Sequence, residues 1–235
     1  METIQKQHRF SRLEKIVGSS NLSLLKDKSV LVLGVGGVGG YVVEALARSG
    51  VGTLIIVDYD TVDLTNINRQ IIALDSTVGQ LKVDAFEARI HDINPECKVI
   101  KISEFIDSDH MDLLFQEKVD YFVDACDTVS TKKEVIKECL KRKIPFISSM
   151  GTGNKMDPSK LEIVDIRKTQ NDPLARIVRK FVKDEKINQK VMVLSSSELP
   201  IKTSDRTPGS TAFVPPSAGL LIASYIVREI IKKND

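Results

Sequence analysis

Polar and apolar positions along this chain alternate between two periods. Short apolar runs rich in β-branched residues, at positions 30–33, 53–57, 98–102, 119–124 and 144–148, predict strands. Between them lie stretches with helical recurrence, at 38–49, 79–93, 109–116 and 128–142. The runs lack in-out alternation, as parallel strands covered on both faces do. This rhythm predicts an α/β fold: a Rossmann-like, doubly wound, mainly parallel sheet with helices on both faces. After Gly151-Thr152-Gly153-Asn154 the pattern changes. Strands are expected at 161–166 and 190–194, flanking a helix over 172–185 that Asp172 followed by Pro173 would start. Residues 195–211, rich in Ser, Thr, Pro and Gly, predict a loop or lid, and 217–232 a last helix apolar on several faces. No repeat or flexible linker divides the chain. The expectation is one domain over 1–235, with a helical N-terminal segment at about 1–27, a nucleotide-binding core at about 28–150 and a C-terminal αβ subregion at about 151–235.

The first strand-to-helix turn carries the candidate chemistry, Gly34-Val35-Gly36-Gly37-Val38-Gly39. There Gly34 permits a tight turn, Gly36 and Gly37 leave room for a phosphate, and Gly39 lets the helix pack on the strand. The helix start offers free amides to an anion. The second strand ends at Asp58, about 20 residues on, where a carboxylate accepts hydrogen bonds from ribose hydroxyls. Taken alone this is the dinucleotide fingerprint and fits NAD. The next residues change the picture: Asp60, then Asn66, Asn68, Arg69 and Gln70, then Lys82 in the following helix. Hydride transfer needs no such cations near the ribose, whereas attack on an α-phosphate builds negative charge that fixed Arg and Lys side chains stabilise. The cluster therefore favours nucleotidyl transfer. Asp127 follows the strand at 119–124, at the sheet edge where ligands bind, and suits the Mg²⁺ that ATP brings; Asp124 is the second carboxylate there. Asp60, Asn66 and Asn68 are also residue types that cap and turn a chain, and a lone helical Lys such as Lys82 ordinarily faces solvent.

Composition narrows the rest. With 42% hydrophobic and 28% charged residues over 235 positions the chain has ordinary globular make-up, and a net charge of +2 proclaims no global attraction to nucleic acid. Eight Phe, four Tyr and no Trp offer no evident base-stacking platform. Cys97, Cys126 and Cys139 form no paired framework, which fits a reducing cytoplasm; Cys126, in a strand, and Cys139, in a helix, are expected as small core residues. No CxxC occurs, and His8, His91 and His110 have no ligand spacing, so zinc is not expected. No secretory signal is visible, and the apolar stretches read as shorter than the roughly 18 residues of a membrane span.

The run GVGGVGG at 34–40, VDYDTV at 57–62, NINRQ at 66–70, Lys82 in GQLK and DACD at 124–127 together resemble the ThiF/MoeB/HesA adenylating enzymes, bacterial relatives of ubiquitin-activating enzymes. Later residues are most similar to the tRNA threonylcarbamoyladenosine dehydratase branch: Asn94-Pro95-Glu96-Cys97, Lys168-Thr169 with Asp172-Pro173-Leu174-Ala175, Ser197-Glu198 with Pro200, and Gly209-Ser210. The resemblance implies ATP-dependent adenylation of a carboxylate, with Asp58 on the ribose, Arg69 and Lys82 on the phosphates and Asp127 on Mg²⁺. It implies a homodimer in which an N-terminal arginine, matched by Arg12, completes the partner's site. It further implies a tRNA carrying threonylcarbamoyladenosine as substrate, cyclised with release of AMP and pyrophosphate, and in some relatives a sulfur-relay protein as partner. Some relatives carry cysteines in the C-terminal part. Nothing beyond Cys139 serves here, which argues against a thiol-dependent step in that region. Two other readings stand beside this one: adenylation of a ubiquitin-like sulfur carrier's C-terminus, and an NAD-dependent oxidoreductase or sensor. Two basic stretches, Arg176, Arg179, Lys180, Lys183 and Lys186, and Lys132, Lys133, Lys137, Lys141, Arg142 and Lys143, read as solvated helix faces of the kind a tRNA arm would also need.

Overall fold

The computed structural model describes residues 7–204 and 207–232; the first six positions of the expected N-terminal segment and two of the expected loop at 195–211 lie outside them. Seven strands form one sheet in the order β3-β2-β1-β4-β5-β7-β6. They are β1 (Ser29–Leu33), β2 (Thr53–Val57), β3 (Lys98–Ile102), β4 (Tyr121–Asp124), β5 (Phe146–Ser149), β6 (Leu161–Asp165) and β7 (Met192–Ser196). All neighbours pair in parallel except β6 with β7, so the sheet is mainly parallel as expected. The strands β6 and β7 of the C-terminal subregion extend the same sheet.

The described residues form seven α-helices: α1 (Ser11–Val17), α2 (Ser19–Lys26), α3 (Gly39–Arg48), α4 (Lys82–Ile93), α5 (Val129–Arg142), α6 (Pro173–Asp184) and α7 (Val214–Ile231). Side chains of β1 alternate between two cores. Val30 and Val32 point into one with Val42, Phe86 and Ile222, from α3, α4 and α7. Leu31 and Leu33 point into the other with Val135, Ile136, Val178 and Val182, from α5 and α6. Both faces are therefore buried, which is why the strand reads as an unbroken apolar run.

Several boundaries differ from expectation for local reasons. The stretch at 109–116 forms only a 3₁₀ turn, Met111–Phe115, with Met111 and Leu114 supplying its buried side. The helix expected from Gly79 starts at Lys82, because Gly79 adopts φ +89° and closes a turn: its amide donates to the Val62 carbonyl, and the Gln80 carbonyl accepts the Val62 amide. The last helix begins at Val214, with Pro215 and Pro216 in its first turn, where a missing amide costs nothing. Ser195 and Ser196 belong to β7 rather than to the loop. Cys126 lies in the loop after β4, not in a strand. By length and a mean hydropathy of 1.3, α7 would suffice to cross a membrane, contrary to the expectation of shorter apolar stretches. Half of it is buried, packed on α3 so closely that a Cβ at Gly219 would lie 2.4 Å from the Val38 carbonyl.

Candidate active site

The chain turns from β1 outward to β2 and β3, then returns to add β4 on the other side of β1. That reversal opens a crevice at the carboxyl ends of β1 and β4, the place where doubly wound sheets bind ligands. A cavity of about 500 Å³ occupies it. Its lining brings together Gly34, Gly36, Gly37, Asp58, Asp60, Asn66, Arg69, Gln70, Lys82 and Asp127. Gly39 lies just behind it. Arg12 is exposed on α1 and does not line this chain's own cavity.

The glycines divide by what surrounds them. Gly34 has φ +83°, and a Cβ at Gly39 would sit 1.8 Å from the Gly34 carbonyl oxygen, so these two serve the fold. At Gly37 a Cβ would touch Arg69 and Pro215 at 3.3 Å. At Gly36 it would meet nothing closer than Gln70 Nε2 at 3.7 Å, an ordinary contact, so packing does not require glycine there. The room it leaves belongs to the cavity. No side chain caps the start of α3 at Val38, leaving its first amides to an anion. Gln70, buried, lines the same wall.

Asp58 is buried at the end of β2. Its Oδ2 accepts the Val35 amide at 2.9 Å and its Oδ1 the Asp60 amide at 3.0 Å, so the carboxylate fixes the glycine turn while keeping further lone pairs. Burial pushes the Asp58 carboxyl above its ordinary value, against the opposing pull of Lys82 and the two amides. Lys82 is not a solvated residue: it is 5% exposed, with Nζ 2.7 Å from Asp60 and 3.7 Å from Asp58. Backbone pairing explains this placement. Thr61 bridges to Leu81, and the Lys82 amide donates to the Asp60 carbonyl at 3.0 Å, so the first residue of α4 is delivered to the end of β2.

Arg69 is held by Thr65 and Asn68 through Nη1 at 3.0 and 2.9 Å. Asn66 closes a capping box with Asp63, a structural duty, although it also lines the cavity. Asn68 donates to the Ser210 carbonyl at 3.0 Å and so ties this segment to the distant loop. Asp127 is exposed in the loop after β4. Asp124 is wholly buried, paired with Lys132 at 3.0 Å, and faces away from the cavity. Lys132 is therefore a correction to the basic stretch on α5: it lies on the buried stripe with Val135, Ile136 and Cys139.

Sequence reasoning missed several lining residues. Glu104, Phe105, Thr152 and Gly153 follow the ends of β3 and β5, so the rule that ligands sit at carboxyl ends was a usable signal. Tyr59 stacks edge-on with Phe105 at 5.1 Å, and its phenol is held above its ordinary value first by Asp60, then by burial, Asp127 and Asp58. Thr207, Pro208, Gly209 and Ser210 come from far along the chain, held there because Asn154 bonds the Gly209 amide at 2.6 Å through its side chain and the Gly209 carbonyl at 2.8 Å through its backbone. No local pattern announces that approach. Among the described residues no group of three or more His, Cys, Asp or Glu is arranged to hold a metal.

A parallel sheet with a glycine-rich turn, an acid on the second strand and a buried lysine at its crevice defines a nucleotide-binding enzyme of the adenylating type. The ThiF family profile matches residues 10–233, and the chain belongs to that family. It is 47% identical to the tRNA threonylcarbamoyladenosine dehydratase of Bacillus subtilis strain 168, over 96% of this chain and 95% of that protein. The Escherichia coli dehydratase in complex with ATP has the same fold, with a TM-score of 0.90 and 32% identity over 96% of this chain and 95% of that one. Similarity to the molybdopterin-synthase adenylyltransferase of Escherichia coli K12, 36% identical, spans only 53% of this chain and 49% of that protein.

Proposed function

We propose that this chain is an ATP-dependent tRNA threonylcarbamoyladenosine dehydratase, which adenylates the threonine carboxylate of the modified nucleoside and promotes its cyclisation. One observation carries the reading: the cavity joins an uncapped helix start, an unfilled glycine wall and the Arg69 and Lys82 cations, in a chain similar from end to end to such a dehydratase. Asp58 holds the ribose. The amides of the glycine turn, Arg69 and Lys82 take the phosphates and stabilise charge as the carboxylate attacks the α-phosphorus and pyrophosphate leaves. An atom of the neighbouring carbamoyl group then attacks the activated carbonyl and AMP departs. This second step needs no protein nucleophile, because an intramolecular attacker at the right distance has a very high effective molarity. Asn66, Asn68 and Gln70 complete the nucleotide's surroundings. Carrier adenylation fits less well, since similarity to that class stops at about half the chain.

The charge balance of the cavity bears on Mg²⁺ and on assembly. Among the described residues four carboxylates, Asp58, Asp60, Glu104 and Asp127, line it against two cations, Arg69 and Lys82. A triphosphate entering such a site needs further positive charge. A single exposed carboxylate with nucleotide phosphates is the kind of donor set Mg²⁺ takes, so Asp127 would hold it, and the ion would neutralise the phosphates. Arg12, exposed and away from its own cavity, supports a homodimer in which it reaches the partner's site. A sulfur-relay partner remains a part of the same proposal, and three free cysteines fit a cytoplasmic setting.

The test is nucleoside mass spectrometry of tRNA carrying threonylcarbamoyladenosine, before and after incubation with the protein, ATP and Mg²⁺. Loss of one water from the nucleoside with matching AMP supports the reading, and an unchanged nucleoside refutes it. Mixed Arg12→Ala and Asp127→Ala subunits, each inactive alone, should recover about a quarter of parent activity if sites are shared.

A further inference from the structure

The two basic stretches of this chain have different fates in the folded protein. On α5 the cations are spent internally. Lys132 is buried against Asp124, Lys137 lies 3.4 Å from Glu134, Lys141 lies 3.0 Å from Glu138, and Arg142 pairs with Glu138 and Asp112 at 2.9 and 3.0 Å. Lys133 sits over the Phe181 ring at 5.7 Å. On α6 the opposite holds. Arg176, Lys180 and Lys183 fall at helical spacing on one exposed face, and Lys186 continues that face beyond the helix end. Among the described residues none of these four has a carboxylate within ion-pair distance.

This face borders a groove of about 760 Å³ between α6 and the turn that follows it. Two further arginines build its floor. Arg179 Nη1 is fixed to the Thr169 carbonyl and hydroxyl at 2.6 and 2.7 Å, and Arg167 is fixed to Asp165 and to carbonyls of the 187–189 turn. The groove thus has two hydrogen-bonded arginines at its base and four cations without ion-pair partners among the described residues at its rim. Its position relative to the cavity is set by one residue. Asp172 caps α6 through Leu174 and Ala175 at 2.9 and 3.0 Å, and its other oxygen accepts the Gly151 amide at 2.9 Å. Gly151 immediately precedes Thr152 and Gly153 of the cavity wall. The cationic row therefore begins within a turn of Asp172 and runs for about 10 Å from Arg176 to Lys183 at the rise of a helix, with Lys186 beyond the helix end.

We infer that the α6 groove binds the phosphate backbone of the substrate tRNA next to the modified nucleoside. The inference rests on the reading of a tRNA as substrate and adds where its backbone lies. Unpaired Lys and Arg in a row, leading away from the cavity where the substrate carboxylate must meet ATP, match a strand whose modified nucleotide turns toward the site and whose neighbouring phosphates continue outward. Among the described residues the groove lining holds six cations and no carboxylate, with Val182 and Ile187 its apolar members, a balance that suits a polyanion. Phosphate contacts of this type hold and orient without reading sequence.

The experiment uses a fluorescein-labelled anticodon stem-loop RNA, with binding followed by anisotropy between 50 and 200 mM KCl, and full turnover measured on modified tRNA. The variant is Arg176→Glu/Lys180→Glu/Lys183→Glu, with Arg176→Gln/Lys180→Gln/Lys183→Gln as the milder form should the first fold poorly. Affinity should fall at least tenfold, and the slope of log affinity against log salt should flatten by about 2 to 3, one phosphate contact contributing roughly 0.7 to 0.9. KM for tRNA should rise, while kcat at saturation and KM for ATP stay within about twofold of the parent, because no α6 residue touches the nucleotide. Lys141→Glu, on the stretch whose cations are already paired, should change neither reading. Unchanged affinity and salt slope in the triple variants overturn the inference even if the parent is an active dehydratase. A parent that binds the RNA with a steep, α6-dependent salt slope but makes no product overturns the substrate reading and leaves the groove standing.

Discussion

Replacing Lys132 by Met tests how the site is anchored. Lys132 and Asp124 are both 0% exposed, their charges 3.0 Å apart. The Lys132 ammonium also donates to the Ser149 carbonyl at 2.8 Å and to Ser148 Oγ at 3.4 Å, and Ser148 Oγ donates to Asp124 Oδ2. Methionine keeps the length of the side chain and removes the charge, so the carboxylate is left buried with only Ser148 and Cys126 to solvate it. Breaking one half of a buried pair costs about 3–5 kcal/mol. For a domain of this size each kcal/mol lowers the melting point by about 2–4 °C, so Lys132→Met should melt about 6–20 °C below the parent. The double variant Asp124→Asn/Lys132→Met removes both charges and should recover a good part of that loss, giving a coupling of about 1–3 kcal/mol in the cycle. Urea unfolding of parent, both single variants and the double variant supplies the four numbers. Asp124 Oδ1 accepts the Cys126 amide at 3.3 Å, one residue before Asp127, so turnover should fall with stability. A single-variant loss below about 1 kcal/mol, or strict additivity in the double variant, would refute the argument.

Three further predictions follow from the site and its supports. Gly36→Ala should fold with parent-like stability yet lose ATP affinity by tenfold or more in calorimetric titration, whereas Gly39→Ala should fail to fold stably, since its Cβ would lie 1.8 Å from a carbonyl oxygen; equal behaviour of the two would contradict the division of labour among the glycines. Arg69→Ala and Lys82→Ala should each slow turnover by about a hundredfold, or about 3 kcal/mol of barrier, measured as AMP release at saturating ATP, and a near-parent rate in either removes that residue from the chemistry. Burial alone would raise the Glu44 carboxyl, but Arg89 and Arg48, at 2.6 and 2.7 Å, hold it below the usual carboxylate range. Its contribution to stability is then complete above the unfolded value and lost as pH falls through the folded one, so Glu44→Gln should be less stable than the parent at neutral pH by about 1–2 kcal/mol, with the gap closing below about pH 4.5 in acid unfolding.

Periodicity and local chemistry along the chain determined a large share of this protein. The β-branched runs became β1 to β5; β1, β2, β4 and β5 are buried because a run apolar on both sides has nowhere to go but the middle layer of a sandwich of helices, while β3, with Lys98 and Lys101 exposed, forms the edge. The glycine turn and Asp172 as a helix cap depend on residues within a few positions of one another, and Asp58 was legible from its spacing in the dinucleotide pattern although it reaches back 23 positions to the Val35 amide. Lys132 was read as a solvated cation because of its charge, although it shares the stripe of Val135, Ile136 and Cys139. What tertiary structure alone decided is which distant groups meet. The strand order puts Asp124 of β4 opposite Ser148 of β5 and under Lys132, turning a presumed surface cation into a buried one. It carries the 207–210 segment over the cavity, anchored by Asn154 and Asn68, and leaves the α6 cations unpaired while those of α5 are consumed. A charge's role depends on the dielectric and the partners around it, and both are set by chain crossings that no local period encodes.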